Sequence, residues 1–334
     1  MASVYLWSAS YLRTWKSTNH HRLAFADSIR PDTLWSAKAH SILRQANKKL
    51  SKGLLDILLS IYTKSLPQLA FKFKSYHHEE SKKEISMKLL YLMPGTGMPE
   101  DEIERRTDVA NSITRYGTAV TVKEVGQGPL SIESTIESDI SVGPMLEKLL
   151  EIRSEGSYDA VIIGCAGDPG LAAARELMDI PVIGPAESSY HFACMIADRF
   201  SIMTPLTAGK ASDSRVRARL REMGLEGRLA SVVFSQTSIA EMWGKNKDVI
   251  ISELSVGVED ARRKGAGCVV LGCMSMAFLL IDEVVGTRDV PIVNPLKTAI
   301  KTAEMFVDLG SLHSRMTYPA ADFDKLRRTI FSDK

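Results

Sequence analysis

Cysteine is scarce in this chain, with four in 334 residues, at positions 165, 194, 268 and 273. So few thiols in so long a chain make no disulfide framework, and none of them forms a C-x-x-C pair of metal-site spacing. A reducing compartment, by default the cytoplasm, is expected. No apolar run reaches the roughly 20 residues of a membrane span. The best-patterned one, Leu54 to Phe71, is broken by Asp56 and Lys64 and reads as one face of a helix. The opening residues also lack the compact apolar core and small-residue cleavage site of a secretory signal. Neither G-x-G-x-x-G after the first strand, nor G-x-x-x-x-G-K-[ST], nor H-E-x-x-H occurs, so nucleotide and zinc readings are without their motifs. Charge of one sign is not in excess: 42 basic against 40 acidic residues give a formal net charge of +2, and no polyanion partner is implied.

The charge that is present is unevenly spread. Residues 1–86 hold 14 Lys and Arg against 6 Asp and Glu, leaving 28 basic and 34 acidic residues for the remainder. Trp7, Trp15 and Trp35 and five of the seven histidines also fall in that first segment, where no strand–helix alternation can be read. It is expected to be a basic N-terminal extension, non-native or partly disordered, with Met87 as the natural start of the patterned chain.

From Met87 onward short apolar runs alternate with longer amphipathic stretches, the pattern of parallel α/β proteins. Strands are expected at 88–93, 119–125, 159–164 and 181–184. A second set follows at 199–204, 230–235, 267–272 and 291–294, with the same lengths, order and intervening helices. Two segments can be laid over one another. Tyr158-Asp-Ala-Val-Ile-Ile-Gly-Cys165 is followed by a helix-like stretch and Ile180-Pro-Val-Ile-Gly-Pro185. Ala266-Gly-Cys-Val-Val-Leu-Gly-Cys273 is followed by a helix-like stretch and Val290-Pro-Ile-Val-Asn-Pro295. The fold class is therefore α/β, with parallel sheets in two similar halves; facing each other about a pseudo-two-fold axis, the halves would enclose one cleft.

Each half places a cysteine directly after a Gly that ends a buried strand, at the carboxyl end where open α/β sheets bind ligands. A lone cysteine there is as readily a small buried hydrophobe, the reading given to Cys194 and Cys268; the matched pair Cys165 and Cys273 argues for chemistry. Asp168 is expected to cap a helix after Cys165, with Pro169 in its first turn, and Cys273 precedes the apolar helix 274–280. Such helix starts stabilise a thiolate. Two facing thiols, one ionised and one not, can remove a proton from one face of a carbon and return one to the other, in either direction. Backbone N–H groups near Gly167 and Ser275 would hold the resulting oxyanion, and neither metal nor organic cofactor is required. His191 is read as structural.

Gly164-Cys-Ala-Gly-Asp-Pro-Gly-Leu171 and Leu271-Gly-Cys-Met-Ser-Met-Ala277 resemble the paired cysteine motifs of hydantoin and allantoin racemases, in the aspartate/glutamate racemase superfamily; Gly128-Pro-Leu-Ser-Ile-Glu133 is similar to another segment of that family. The resemblance spans Met87 to the end, and it implies two flavodoxin-like domains related by a pseudo-two-fold axis, residues 87–185 with 296–334 and the inserted 186–295, with the active site in the cleft between them. It implies Cys165 and Cys273 as the acid/base pair acting on a 5-substituted hydantoin, allantoin or a related cyclic ureide. The substrate would lie against Gly95 and Thr96 after the first strand, Thr204 after the fifth, and Ala166, Gly167, Met274 and Ser275 beside the cysteines. Gly95 stands where the family usually has Asn, Ala166 where relatives often carry an aromatic residue, and Met274 and Ser275 replace a small Ala-Gly. The implied partner is a small molecule, without nucleic acid or membrane, acted on by a homo-oligomer. Three alternatives stay open: an amino-acid racemase or another isomerase or decarboxylase of the superfamily, a non-catalytic two-lobed binding protein, and a redox pair of neighbouring thiols.

Overall fold

A computed structural model of the chain describes residues 86–206, 210–243, 247–281 and 289–330. The basic extension and the helix expected over 54–71 lie outside the described residues.

Eight strands form two sheets. The first contains β1 (Met87–Met93), β2 (Thr118–Glu124), β3 (Ala160–Ile163) and β4 (Val182–Ile183), and the second β5 (Phe200–Pro205), β6 (Leu229–Ser235), β7 (Cys268–Leu271) and β8 (Ile292–Val293). All pairings are parallel, and the orders β2-β1-β3-β4 and β6-β5-β7-β8 are the same. The duplication read from the sequence is thus a repeated topology. Each expected strand is found within two residues of its expected ends.

Burial explains why the inner strands were easy to read. A parallel strand covered on both faces needs apolar side chains throughout. In β1 only Lys88 is exposed, and β3 and β7 are buried at every position. The edge strand β2, TAVTVKE, alternates instead, because one of its faces is partly wet.

The helices are α1 (Glu100–Ile113), α2 (Thr135–Glu155), α3 (Leu171–Leu177), α4 (Pro185–Ile196), α5 (Ser214–Glu222), α6 (Ile239–Trp243), α7 (Lys247–Arg263), α8 (Met274–Leu279), α9 (Pro295–Asp308) and α10 (Phe323–Ile330). The S-x-x-E pattern beginning at Ser134 starts α2. The Ser134 hydroxyl accepts the Glu137 N–H at 3.2 Å, and the Glu137 carboxylate accepts the Ser134 N–H at 2.7 Å. Helix α9 closes the chain back onto the first sheet, packing Leu296, Ala299, Ile300 and Ala303 with Leu89, Tyr91 and Ile162.

Helix α8 is buried at all six positions. Met274, Ala277 and Phe278 join the core around β1, whereas Met276 and Leu279 join the core of the second sheet. The Phe278 ring meets Tyr91 edge to face at 5.3 Å. The helix that follows Cys273 is therefore held by both halves. Among the described residues, no helix is long and apolar enough to cross a membrane and no cluster of three or more His, Cys, Asp or Glu is placed to hold a metal.

Candidate active site

The two cysteine turns are built alike. After β3 the Gly164 N–H donates to the Leu92 carbonyl of β1 at 2.7 Å, and after β7 the Gly272 N–H donates to the Met203 carbonyl of β5 at 2.6 Å. Each chain thus crosses its neighbouring strand closely enough that a side chain is excluded. A Cβ on Gly164 would lie 2.8 Å from the Leu92 carbonyl oxygen, and one on Gly272 2.8 Å from Ile202 Cγ2. This is the physical reason for glycine before each thiol. Cys165 and Cys273 both line one cleft of about 470 Å³, a size suited to a small molecule.

Gly95, Ala166, Gly167, Thr204, Met274 and Ser275 line the same cleft. Thr96 is not among its lining residues; its N–H turns away to the Pro129 carbonyl at 3.2 Å. The glycine at position 95 also has a cause. A Cβ there would stand 2.5 Å from the Pro129 carbonyl oxygen, so no Asn fits while the 128–133 segment packs against this turn. Leu130, Ser131, Ile132 and Glu133 of that segment form part of the wall instead.

The expected cap after Cys165 is corrected by the structure. Helix α3 begins only at Leu171, with Gly170 as its N-cap, so Pro169 is not in a first helical turn. Asp168 sits at φ 49°, and its carboxylate reaches α4 instead, accepting the Ala186 and Glu187 N–H groups at 2.9 and 2.8 Å. In the second half Asn294 does this locally, accepting the Leu296 N–H at 2.9 Å while its amide donates to the Ala277 carbonyl of α8 at 2.9 Å. Each cysteine-bearing turn or helix is so tied to the start of the following long helix. Asp168 is also paired with Arg219 of α5 at 3.2 Å. Burial pushes its carboxyl above the usual range, against the pull of Arg219 and the two N–H donors.

The N–H groups expected as oxyanion donors lie beside the two sulfurs. The Gly167 N–H donates to Cys165 Sγ at 3.4 Å, and the Ser275 and Met276 N–H groups point at the Cys273 sulfur. Burial pushes the Cys165 thiol up to about 11, with Asp168 and Cys273 adding to the rise and Gly167 and Arg215 opposing it. Burial also raises Cys273, which is opposed by Met276, Ser275 and Arg106.

Arg106, Trp243 and Arg215 were missed by the sequence reading. Arg106 of α1 is 3 % exposed, accompanied by the equally buried Glu102, whose carboxylate it meets at 2.9 Å. Burial opposes the Glu102 charge, but Arg105 and Arg106 hold its carboxyl below the usual range. Arg106 Nη2 and Trp243 Nε1 both donate to the Ser275 hydroxyl oxygen, at 3.0 and 3.1 Å. A hydroxyl has two lone pairs and one proton. With both lone pairs taken, the Ser275 proton is left for Cys273, the bond that helps to lower that thiol. The only sequence signal for Arg106 was a charged pair, Arg105-Arg106, on a helix that must bury one face.

Cys268 is buried in β7 and Cys194 half-buried in α4, as small hydrophobes; all four thiols are free. His191 is exposed on α4, its ring Nδ1 2.8 Å from the Glu187 carbonyl oxygen and away from the cleft.

Comparison with known proteins adds a family. Residues 104–303 match the Asp/Glu/Hydantoin racemase family. A hydantoin racemase of Paenarthrobacter aurescens is 30 % identical over 231 residues, covering 67 % of this chain and 92 % of that one. An allantoin racemase structure from Klebsiella pneumoniae superposes with a TM-score of 0.61 at 27 % identity, covering 71 % of this chain and 94 % of the other. An allantoin racemase structure from Pseudomonas fluorescens, at 24 % identity and a TM-score of 0.62, shares the fold over 71 % of this chain and 97 % of its own.

Proposed function

The chain belongs to the Asp/Glu/hydantoin racemase family and is an isomerase, and from that premise we propose that Cys165 and Cys273 racemise a 5-substituted hydantoin, allantoin or a related cyclic ureide by two-base proton transfer. The observation that carries this reading is that both thiols, on equivalent Gly–Cys turns of two equivalent sheets, line one cleft. One thiolate removes the hydrogen from the stereocentre, leaving a thiol and an enolate. The opposite thiol returns a proton to the other face and is left as the thiolate. The reverse direction exchanges the roles, and no atom is gained or lost. Burial raises both thiols, and it is opposed at Cys273 by the Met276 and Ser275 groups and Arg106 and at Cys165 by the Gly167 N–H and Arg215, so either can take the role of base as the substrate's enantiomer requires.

In this reading the lobes are residues 87–185 with 296–334, and 186–295, one sheet each. A reducing cytoplasm suits chemistry that needs both thiols free. A cyclic ureide fits because its ring carbonyl already acidifies the adjacent C–H, which lessens what two neutral-leaning thiols must supply.

The test is loss of optical activity and deuterium uptake for single-enantiomer hydantoins and allantoin in deuterated solvent, without added cofactor. Racemisation is expected in the native protein and is expected to fall at least about 100-fold in both Cys165→Ser and Cys273→Ser, each variant keeping at most exchange with retention of the enantiomer that faces its remaining thiol. Inversion that survives in either variant would remove the two-thiol mechanism. Absence of exchange on every cyclic ureide by folded protein would remove the substrate class.

A further inference from the structure

Among the described residues, every cation lining the reactive cleft has a carboxylate partner except one. Arg106 is paired with Glu102, and Arg219 with Asp168 and Glu222. Arg215, in the first turn of α5, lines the same cleft and has no ion pair or hydrogen bond among the described residues. The nearby carboxylates are committed elsewhere. Glu137 lies close enough to feel Arg215, but its Oε2 accepts the Glu133 and Ser134 N–H groups, each at 2.7 Å. Glu133 accepts from the Ser131 hydroxyl at 2.6 Å. Glu124 accepts the Gly97 and Met98 N–H groups at 3.3 and 2.7 Å.

The position of the free guanidinium is specific. A methyl group built on Gly167 would stand 3.6 Å from Cys165 Sγ and 3.7 Å from Arg215 Nη2, so the thiol and the guanidinium flank one point above Gly167. An arginine fork matches a carboxylate through two parallel N–H···O bonds. A half-buried fork with no protein partner at the wall of a substrate cleft is open to an anion.

We propose that Arg215 binds a carboxylate of the substrate next to Cys165, and so selects for anionic substrates in the cleft where the racemisation proposed above takes place. Two sources share this chemistry: a hydantoin with a carboxyalkyl group on the reacting carbon, and an open-chain amino or ureido acid whose carboxylate is on that carbon itself. The proposal rests on the racemase reading for its substrate and on Arg215 alone for its anion.

The experiment uses the full-length protein and Arg215→Gln in two measurements. In the first, deuterium uptake is followed for hydantoin-5-acetate, neutral 5-methylhydantoin, aspartate and N-carbamoylaspartate. The ratio of kcat/KM for hydantoin-5-acetate to that for 5-methylhydantoin is expected to fall at least about 30-fold in R215Q. Exchange of aspartate or N-carbamoylaspartate that needs Arg215 would assign the open-chain source instead. An unchanged ratio together with unchanged open-chain exchange overturns the proposal. The second measurement does not depend on turnover: the rate of Cys165 carboxymethylation by iodoacetate is divided by its rate with neutral iodoacetamide. This quotient is expected to drop about five- to tenfold in R215Q. If the native protein exchanges none of the four compounds, the racemase reading has failed and the alkylation quotient alone decides: a drop supports anion capture by Arg215, and no drop overturns it.

Discussion

Asp168 makes a quantitative test of how the first cysteine turn is held. Its carboxylate is 3 % exposed and serves a helix that has no cap of its own, because α4 begins after Gly184. Asp168→Ala removes the acceptor for the Ala186 and Glu187 N–H groups. These are the N2 and N3 donors of α4, one buried and one part-buried, so the lost cap is the same two hydrogen bonds and costs about 2 kcal/mol. Arg219 adds little, since its side chain is 24 % exposed and keeps Glu222. The expected destabilisation is about 2 kcal/mol. Asp168→Asn keeps one acceptor, and because burial already disfavours the charge at this position, it costs less than that. Urea unfolding of both variants followed by far-UV circular dichroism measures these values. In D168N the Cys165 thiol, relieved of the neighbouring negative charge, also becomes reactive toward iodoacetamide at lower pH than in the native protein. A loss below about 1 kcal/mol in D168A would show that the two N–H groups find other partners, and the account of this turn would be wrong.

Arg106→Lys keeps the charge but loses the fork that fills the Ser275 lone pair, so Cys273 is expected to ionise at higher pH than in the native protein while Cys165 is not shifted upward; alkylation–pH profiles read by mass spectrometry distinguish this from a merely structural loss. His313 gives a stability window: burial and Arg175 lower its pKa to about 4, and its neutral Nε2 accepts the Val182 N–H at 3.0 Å. Its folded pKa lies below the ordinary 6.5, so its contribution is present above pH 6.5 and is lost as the pH falls from 6.5 toward 4. At pH 5 the loss is about 1–2 kcal/mol after allowance for solvent, and urea unfolding of His313→Gln, which accepts but does not titrate, is expected to show none of it.

What was legible in the sequence had a local cause. Strands inside a parallel sheet announce themselves as unbroken apolar runs, so β1, β3, β5 and β7 were found nearly to the residue, and the repeated Gly–Cys at the ends of β3 and β7 marked the site. What was not legible depends on contacts between distant positions. Arg106 and Ser275 are 169 residues apart, and Asp168 and Arg219 are 51 apart. Asp-Pro-Gly after Cys165 reads as a cap for its own helix, and nothing local shows that a left-handed Asp168 will turn its carboxylate toward α4. The surroundings of the sulfurs are likewise set by geometry. Sequence places N–H groups beside Cys165 and Cys273, but only geometry reveals that the sulfurs themselves use them.

The duplication also bears on why the two thiols need not be equivalent. Repetition of a β-strand–Gly–Cys turn delivers two sulfurs to one cleft, but identical surroundings would leave both with the same proton affinity, and two-base chemistry needs one thiol charged and one neutral. The halves differ where that distinction is set. In the second half Asn294 caps α9 from within, which leaves the turn after β7 free to become α8, with Cys273 at its start and Ser275 held by Arg106 and Trp243. In the first half Gly184 cannot cap α4, so the turn after β3 must extend to bring Asp168 across. That extension removes the helix from beneath Cys165, puts a carboxylate beside it, and raises its proton affinity. The choice of Gly or Asn before a proline, 19 residues after one cysteine and 21 after the other, is thus tied to the unlike surroundings of the two thiols.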